Sequence, residues 1–300
     1  MKIKKLFAST LTTLIFLVSI GKAQDTIEKV RQTGTITLGV RESSGLGYTI
    51  GKGKYIGFHT EMAKIIINDL SKQIKKNITI NYLPITSANR IPLLQNGTYD
   101  FECGSTTNNR ARSQEATFAY TTYVEEVRIA VKKNSGINNI SDLNGKTVVT
   151  TTGTTSVQIL RHNKNKKSLS FNQILGKDHI DSFLLLEEGR ADAFVMDASI
   201  LAMNIAKAQN PKDFIILDDI LSVEPIACML RLKDENLKNV INNSILRQVR
   251  EGSLKQLYEK WFIKPIPPKD IRVGLPISKS TQHAWDNPNN QAMEDYKENS

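Results

Sequence analysis

The sequence uses one turn twice. Leu93-Leu94-Gln-Asn-Gly97-Thr-Tyr-Asp100 and Leu185-Leu186-Glu-Glu-Gly189-Arg-Ala-Asp192 share the spacing L-L-x-x-G-x-x-D. Each reads as a helix end, a glycine suited to a left-handed C-cap, and an Asp opening a strand. A chain that repeats this turn, with strands and helices alternating around it, belongs among α/β architectures built from βαβ units with parallel sheets. Eight residues past each glycine stands a polar residue, Ser105 in one case and Asp197 in the other. Ligands of open α/β sheets bind beyond the carboxyl ends of strands. The pair of units therefore suggests two lobes facing a shared cleft, against the alternative of chance likeness between two common turns.

Local patterns extend this reading. Thr35 to Val40, Ile78 to Tyr82, Thr147 to Thr151, Ala193 to Met196 and Ile226 to Leu230 read as strands. Met62, Ile65, Ile66, Leu70 and Ile74 recur at helical spacing, as does the stretch from Leu237 to Val249. Gly51-Lys-Gly53 marks a hairpin tip. From Pro265 the chain is rich in Pro, Asn, Lys and Gln, which predicts an extended surface segment with a disordered end.

The amino terminus predicts export. Met1 to Lys5 is basic, Leu6 to Ile20 is mostly apolar, and Gly21-Lys-Ala23 sets small residues before a cut after Ala23. The apolar stretch is short of the roughly 20 residues of a bilayer span. The formal charge of the 300-residue chain is +10, and Lys2, Lys4, Lys5 and Lys22 account for four of it, leaving +6 once the leader is removed. The basic residues are scattered and no basic-aromatic stripe appears, so an anionic small ligand fits better than nucleic acid. Two cysteines, Cys103 and Cys228, permit one disulfide in an exported chain, and neither belongs to a CxxC pair. The sequence lacks a GxSxG elbow, an HExxH, a phosphate loop and an EF-hand loop, and its four histidines do not have metal-ligand spacing, so no cofactor or metal is implied.

The remaining chemistry lies in polar loops. Cys103-Gly-Ser-Thr-Thr-Asn-Asn109 and Thr152-Gly-Thr-Thr-Ser156 each place backbone N–H groups at a helix start, which suits an anion. Arg112, just beyond the first loop, reads either as a bidentate carboxylate partner or as a solvated helix charge. Asp197 reads either as an ammonium acceptor or as the N-cap of the helix that follows.

Longer stretches carry a resemblance. Gly39-Val-Arg-Glu-Ser-Ser44, Pro84-Ile-Thr-Ser-Ala-Asn-Arg-Ile-Pro-Leu-Leu-Gln-Asn-Gly97 and Tyr99-Asp-Phe-Glu-Cys-Gly-Ser-Thr-Thr-Asn-Asn109 resemble the periplasmic amino-acid-binding proteins of ABC transporters, solute-binding family 3, and within it the glutamate/aspartate branch. Lys177-Asp-His-x-Asp-Ser-Phe183, Cys228-Met-Leu-Arg231 and Lys260-Trp-Phe-x-x-Pro-Ile-Pro-Pro268 continue it, so the likeness spans nearly the whole mature chain. It implies the two-lobed type II periplasmic-binding-protein fold, each lobe a sheet flanked by helices, with the ligand in the interlobe cleft. Lobe 1 would comprise residues 24–122 and 226–270, lobe 2 residues 126–222, with crossings at 121–125 and 222–225 and a C-terminal extension over 271–300. Both cysteines then fall in or beside strands of lobe 1, which predicts a Cys103–Cys228 disulfide.

The resemblance also implies roles. Arg112 would clamp an α-carboxylate together with N–H groups of the Thr107 and Thr155 loops, and Ser105 and Asp197 would take the α-ammonium. Arg41, Ser87, Arg90 and His179 would face a side-chain carboxylate. Gly45-Leu-Gly47 departs from the family by lacking a Pro-Phe, which leaves the apolar wall there open. The implied partners are L-glutamate or L-aspartate and a membrane permease, with the protein a periplasmic monomer. The rival is a dehydratase-type enzyme on the same fold. It is disfavoured because Asp197 is the only clear acid among these cleft positions. A binding protein for another amino acid is the remaining alternative.

Overall fold

The computed structural model describes residues 25–268 and 270–296; the leader read over residues 1–23 lies outside them. The described chain opens with α1 (Thr26–Thr33), β1 (Thr35–Val40), the hairpin β2 (Tyr48–Thr49) and β3 (Tyr55–Ile56), α2 (Phe58–Ile74) and β4 (Thr79–Pro84). Next come α3 (Arg90–Gln95), β5 (Phe101–Glu102), α4 (Arg110–Ser113) and the long β6 (Thr117–Lys132). β7 (Thr147–Thr151), α5 (Ser156–Lys166), β8 (Asn172–Gly176), α6 (His179–Glu187), β9 (Ala193–Asp197), α7 (Ala198–Lys207) and β10 (Phe214–Ile216) build the second half. β11 (Ser222–Leu230), α8 (Glu235–Arg250), α9 (Ser253–Tyr258) and α10 (Lys279–Asp286) complete the chain. α2 buries Phe58, Met62, Ile66, Leu70 and Ile74 along one stripe, the helical spacing visible in the sequence.

The strands join in the order β4-β1-β5-β11-β6-β9-β7-β8, with β10 on β6. The wings are parallel, β1 with β4 and β5, β7 with β8 and β9. The centre is antiparallel, because β11 pairs with both β5 and β6, and β6 with β9. The sheets are thus mixed, where strand–helix alternation alone predicts parallel ones. The reason is that β6 and β11 carry the chain from one lobe to the other in opposite directions. The residues read as crossings lie side by side in that ladder, Val124 opposite Pro225 and Glu125 opposite Glu224. β11 accordingly begins at Ser222, four residues before the strand start read from the sequence.

Separate apolar clusters fill the two lobes. One gathers α2, α8, α9 and β1, with Tyr123 of β6 stacked on Tyr258 and Phe262. Two others lie on the faces of the β7–β9 wing. Cys103, just past β5, is disulfide-bonded to Cys228 of β11, with Cα atoms 4.1 Å apart across 125 residues of chain.

The carboxy-terminal segment corrects the sequence reading. It is extended only as far as Ser278, whose side chain accepts from the Thr281 N–H and caps α10. α10 buries Ala284 and Trp285, and the Trp285 indole N–H donates to the Thr122 carbonyl at 2.8 Å. Docking against the crossing strand gives this polar stretch a fold that its composition does not announce. The end read as disordered, beyond Tyr296, lies outside the described residues.

Candidate functional site

The site is assembled at strand ends. Arg41 follows β1, Ser87 and Arg90 follow β4, and Ser105 and Thr107 follow β5. From the other lobe, Thr155 follows β7, His179 opens α6 after β8, and Asp197 closes β9. Eight of the nine residues named from the sequence line one small, nearly closed cavity. Arg41 stands just behind it, donating from Nη2 to the Ser87 hydroxyl (2.8 Å) and to His179 Nε2 (3.1 Å). Thr154 and Met196, which the sequence reading gives no role, also line the cavity.

At one end lies Arg112. It donates to the carbonyls of Thr107 (3.0 Å) and, across the cleft, of Gly153 (3.4 Å). Asn109 fixes it from the main-chain side, its Oδ1 accepting from the Arg112 N–H at 2.9 Å. Arg112 is buried, which removes the reading of a solvated helix charge. Burial, then the charge of Arg90, lowers its pKa to about 9.

Arg41 and Arg90 enter from the ends of β1 and β4. Arg90 donates to the Thr106 hydroxyl (2.7 Å) and the Ser105 carbonyl (3.3 Å), and Thr106 in turn donates to Glu102. Arg41 Nη1 and Arg90 Nε are buried with no hydrogen-bond partner among the described residues. Burial and then Arg90 bring the Arg41 pKa down to about 10. His179 is held neutral, its pKa driven well below the usual value by burial and then by Arg41 and Arg90. Since a guanidinium only donates, His179 Nε2 must accept from Arg41, which puts the ring proton on Nδ1, facing the Thr151 hydroxyl at 3.0 Å. Thr151 continues to Ser182, whose hydroxyl donates to the Asp178 carbonyl.

Asp197 stands at the N-cap position of α7, as one reading had it, but its side chain makes no cap hydrogen bond, which leaves the carboxylate to the cleft. Its Oδ1 is buried without a partner among the described residues, and burial followed by Glu224 raises its pKa to about 8. Glu224 is the acid the sequence reading missed, and it corrects the expectation that Asp197 is the only one. Its Oε2 accepts from the hydroxyls of Thr107 and, at 2.9 Å, Thr155, while Oε1 has no partner among the described residues. Opposite it in the ladder, Glu125 accepts from the Ser199 hydroxyl and N–H. Burial raises the pKa of both glutamates. The available signal was a lone acid between Val223 and Pro225 in a strand-like run. His59, behind the first loop, has Nδ1 2.7 Å from the Gly104 carbonyl and Nε2 2.9 Å from the Thr122 hydroxyl, a packed histidine.

The lobes are closed on each other. A Cβ on Gly153 would lie 2.7 Å from the backbone of Ser87 and Ala88, and Gly153 also has φ +77°. A Cβ on Gly45 would lie 2.4 Å from the Ser199 carbonyl. At the rim, Lys207 sits over the Tyr48 ring, 4.0 Å from its centroid.

A family model for bacterial extracellular solute-binding proteins, family 3, matches residues 36–264. The chain belongs to that family. A glutamate/aspartate import solute-binding protein of Salmonella typhimurium is 39% identical over 273 residues, 90% of each chain. An L-glutamate/L-aspartate-binding protein of Pseudomonas aeruginosa is 38% identical over 272 residues, again 90% of each. Among solved structures, a mutant of ArgBP from T. maritima superposes with TM-score 0.69 at 25% identity, over 78% of this chain and 98% of that one. The ancestral amino acid-binding protein AncCDT-1, a precursor of cyclohexadienyl dehydratase, matches with TM-score 0.68 at 25% identity, over 79% and 99%. The family supplies the two-lobed periplasmic-binding-protein fold, and the curated relatives named here are solute-binding proteins.

Proposed function

We propose that this solute-binding protein takes up L-glutamate or L-aspartate between its lobes in the periplasm and presents it to the membrane permease of an ABC transporter. The observation that carries this reading is the pair Arg41 and Arg90, buried together with an unpartnered nitrogen on each. Enclosed like charges are unfavourable unless anions join them, and the buried Glu102 beside both offsets only one of the two. A ligand carboxylate there, a second one at Arg112, and an ammonium at Asp197 describe an acidic amino acid. Ser87 and Ser105 add hydroxyls on the first lobe, Thr107 and Thr155 contribute from the two N–H-rich loops, and His179 sets the Arg41 side chain. A micromolar affinity is about 8 kcal/mol, within reach of several charged hydrogen bonds of roughly 1.5–3 kcal/mol each after ordering costs.

The dehydratase alternative gains an acid in Glu224, but that carboxylate is engaged by two hydroxyls. The protein acts as a binding monomer without turnover, and the exported form begins at Gln24.

Calorimetric titration of refolded, ligand-free protein with every amino acid tests the assignment. Glutamate and aspartate should bind, and glutamine should bind far more weakly, because the amide leaves buried charge unpaired. Arg90→Ala should lose most binding of the acids and retain or gain weak glutamine binding. Equal affinity for glutamine and glutamate in the native protein would overturn the proposal.

A further inference from the structure

The family match ends at residue 264, yet the chain returns to the site twenty-odd residues later. After α10, the Asn289 carbonyl accepts from the Thr121 N–H of β6 at 2.8 Å. The next residues close on Asn108. Its side-chain amide donates to the carbonyls of Asn290 (2.8 Å) and Gln291 (3.2 Å), and its own carbonyl accepts from the Met293 N–H (2.8 Å). The Asn108 N–H meanwhile donates to the Pro225 carbonyl of β11 at 2.9 Å, and its Oδ1 accepts from the Ser113 hydroxyl at 3.1 Å. Asn108 is buried and stands between Thr107, whose carbonyl receives Arg112, and Asn109, which caps the Arg112 N–H. Glu294 accepts from the Arg110 N–H at 3.0 Å, and Met293 Sδ lies 3.7 Å from the Ser222 hydroxyl at the start of β11.

We propose that residues 288–296 are a positioning strap, acting through Asn108 to hold the Arg112 loop against the two crossing strands and so set the α-carboxylate clamp. This rests on the proposed amino-acid binding and adds to it a segment outside the matched family region. The strap does not line the cavity, so it acts on the end common to all amino acids and leaves ligand choice unchanged.

Met293 offers a selective test. Ala292 has φ −72° and ψ 156°, the extended conformation a following proline requires, and Met293 is the first residue of a helical turn where proline is accepted. Met293→Pro therefore removes the N–H donated to Asn108, whereas Met293→Ala removes the side chain and keeps it. Both are compared with the full chain, with a chain stopped after Asn287, which retains Trp285, and with the exposed control Lys279→Ala. Calorimetry gives Kd for glutamate, aspartate and glutamine, stopped flow gives the dissociation rate, and thermal melts give ligand-free stability. The expected result is a Kd raised about tenfold or more by the stop and severalfold by Met293→Pro relative to Met293→Ala. The change should be equal for glutamate and aspartate, appear in the dissociation rate, and leave the ligand-free melts of the Met293 pair alike. Should the shortened chain not fold, the Met293 pair decides. Equal affinities in that pair, a shortened chain binding within about twofold of the full one, or a loss tracking ligand-free stability would overturn the strap. Failure of the unaltered chain to bind any amino acid would instead overturn the binding proposal beneath it.

Discussion

The cleft is built from two loops of similar composition that are held very differently. The first, Cys103 to Asn109, is bonded covalently to β11 at one end through Cys228 and tied at the other through Asn108 to β11 and the carboxy-terminal segment. The second, Thr152 to Ser156, is held among the described residues by hydrogen bonds within its own lobe, such as Thr152 N–H to the Gly176 carbonyl at 3.0 Å, and by contacts made across the closed cleft. A loop fixed before ligand arrives spends little entropy on ordering. On the binding we propose, the first lobe, with Arg41, Ser87, Arg90, Ser105, Thr107 and Arg112, would be the receiving surface, and the second would add Thr155, His179 and Asp197 on closure.

The largest expected effect breaks that asymmetry at its centre. Arg112→Ala removes two or so charged hydrogen bonds of roughly 1.5–3 kcal/mol each and should weaken glutamate binding by about 10²–10⁴-fold. Asp197→Asn keeps the shape and should weaken it by about 10–100-fold, since Ser105 remains for the ammonium. Calorimetry that ranks the two in the opposite order would place the primary contacts in the second lobe. Replacing both Cys103 and Cys228 with Ser should lower unfolding stability by up to about 4–5 kcal/mol on the loop-entropy model, read from urea melts. Glutamate affinity should change much less, because Asn108 still anchors the loop.

Closure itself is probed by Gly45→Ala. The added methyl meets the Ser199 backbone only when the lobes close, so affinity should fall about tenfold with ligand-free stability unchanged. An unaltered Kd would mean that closure tolerates the methyl. The smallest effect concerns protons. Asp197 titrates near 8 when buried beside Glu224 in the closed, empty cleft, above its unfolded value, so it stabilises that closed form fully at low pH and the contribution is lost as pH rises through about 8. An ammonium at Asp197 favours the ionised form. Binding below pH 8 should therefore release protons, and affinity should rise toward that pH. Calorimetry in buffers of different ionisation enthalpy reads the proton count directly. No proton release would indicate that Asp197 is already ionised.

Strands such as β1 and β7 were legible because apolar runs between turn signals determine them locally. The repeated L-L-x-x-G-x-x-D turn pointed to Ser105 and Asp197 by position in the α/β unit. Arg41, Ser87, Arg90 and His179 needed the family resemblance, because nothing local distinguishes a cleft arginine from a solvated one. Glu224 and Glu125 were illegible for a related reason. An acid in a strand reads as solvent-facing, and only the β6–β11 ladder and the hydroxyls of Thr107, Thr155 and Ser199 make a buried place for it. α10 is eight residues long, too short to hold as an isolated helix. Its fold depends on Trp285 reaching Thr122, a contact that no window of sequence contains.

The position of β11 between β5 and β6 has a consequence for how the molecule comes into being. A chain delivered from its amino terminus presents β5 and β6 long before the strand that must separate them. The first lobe therefore cannot complete its sheet until the whole second lobe has emerged behind it, although most of its residues arrive first. The ordering postpones completion of that lobe until delivery of the chain is well advanced. It also leaves the partly delivered first lobe with an open β5 edge, available to a holding chaperone or to a neighbouring chain.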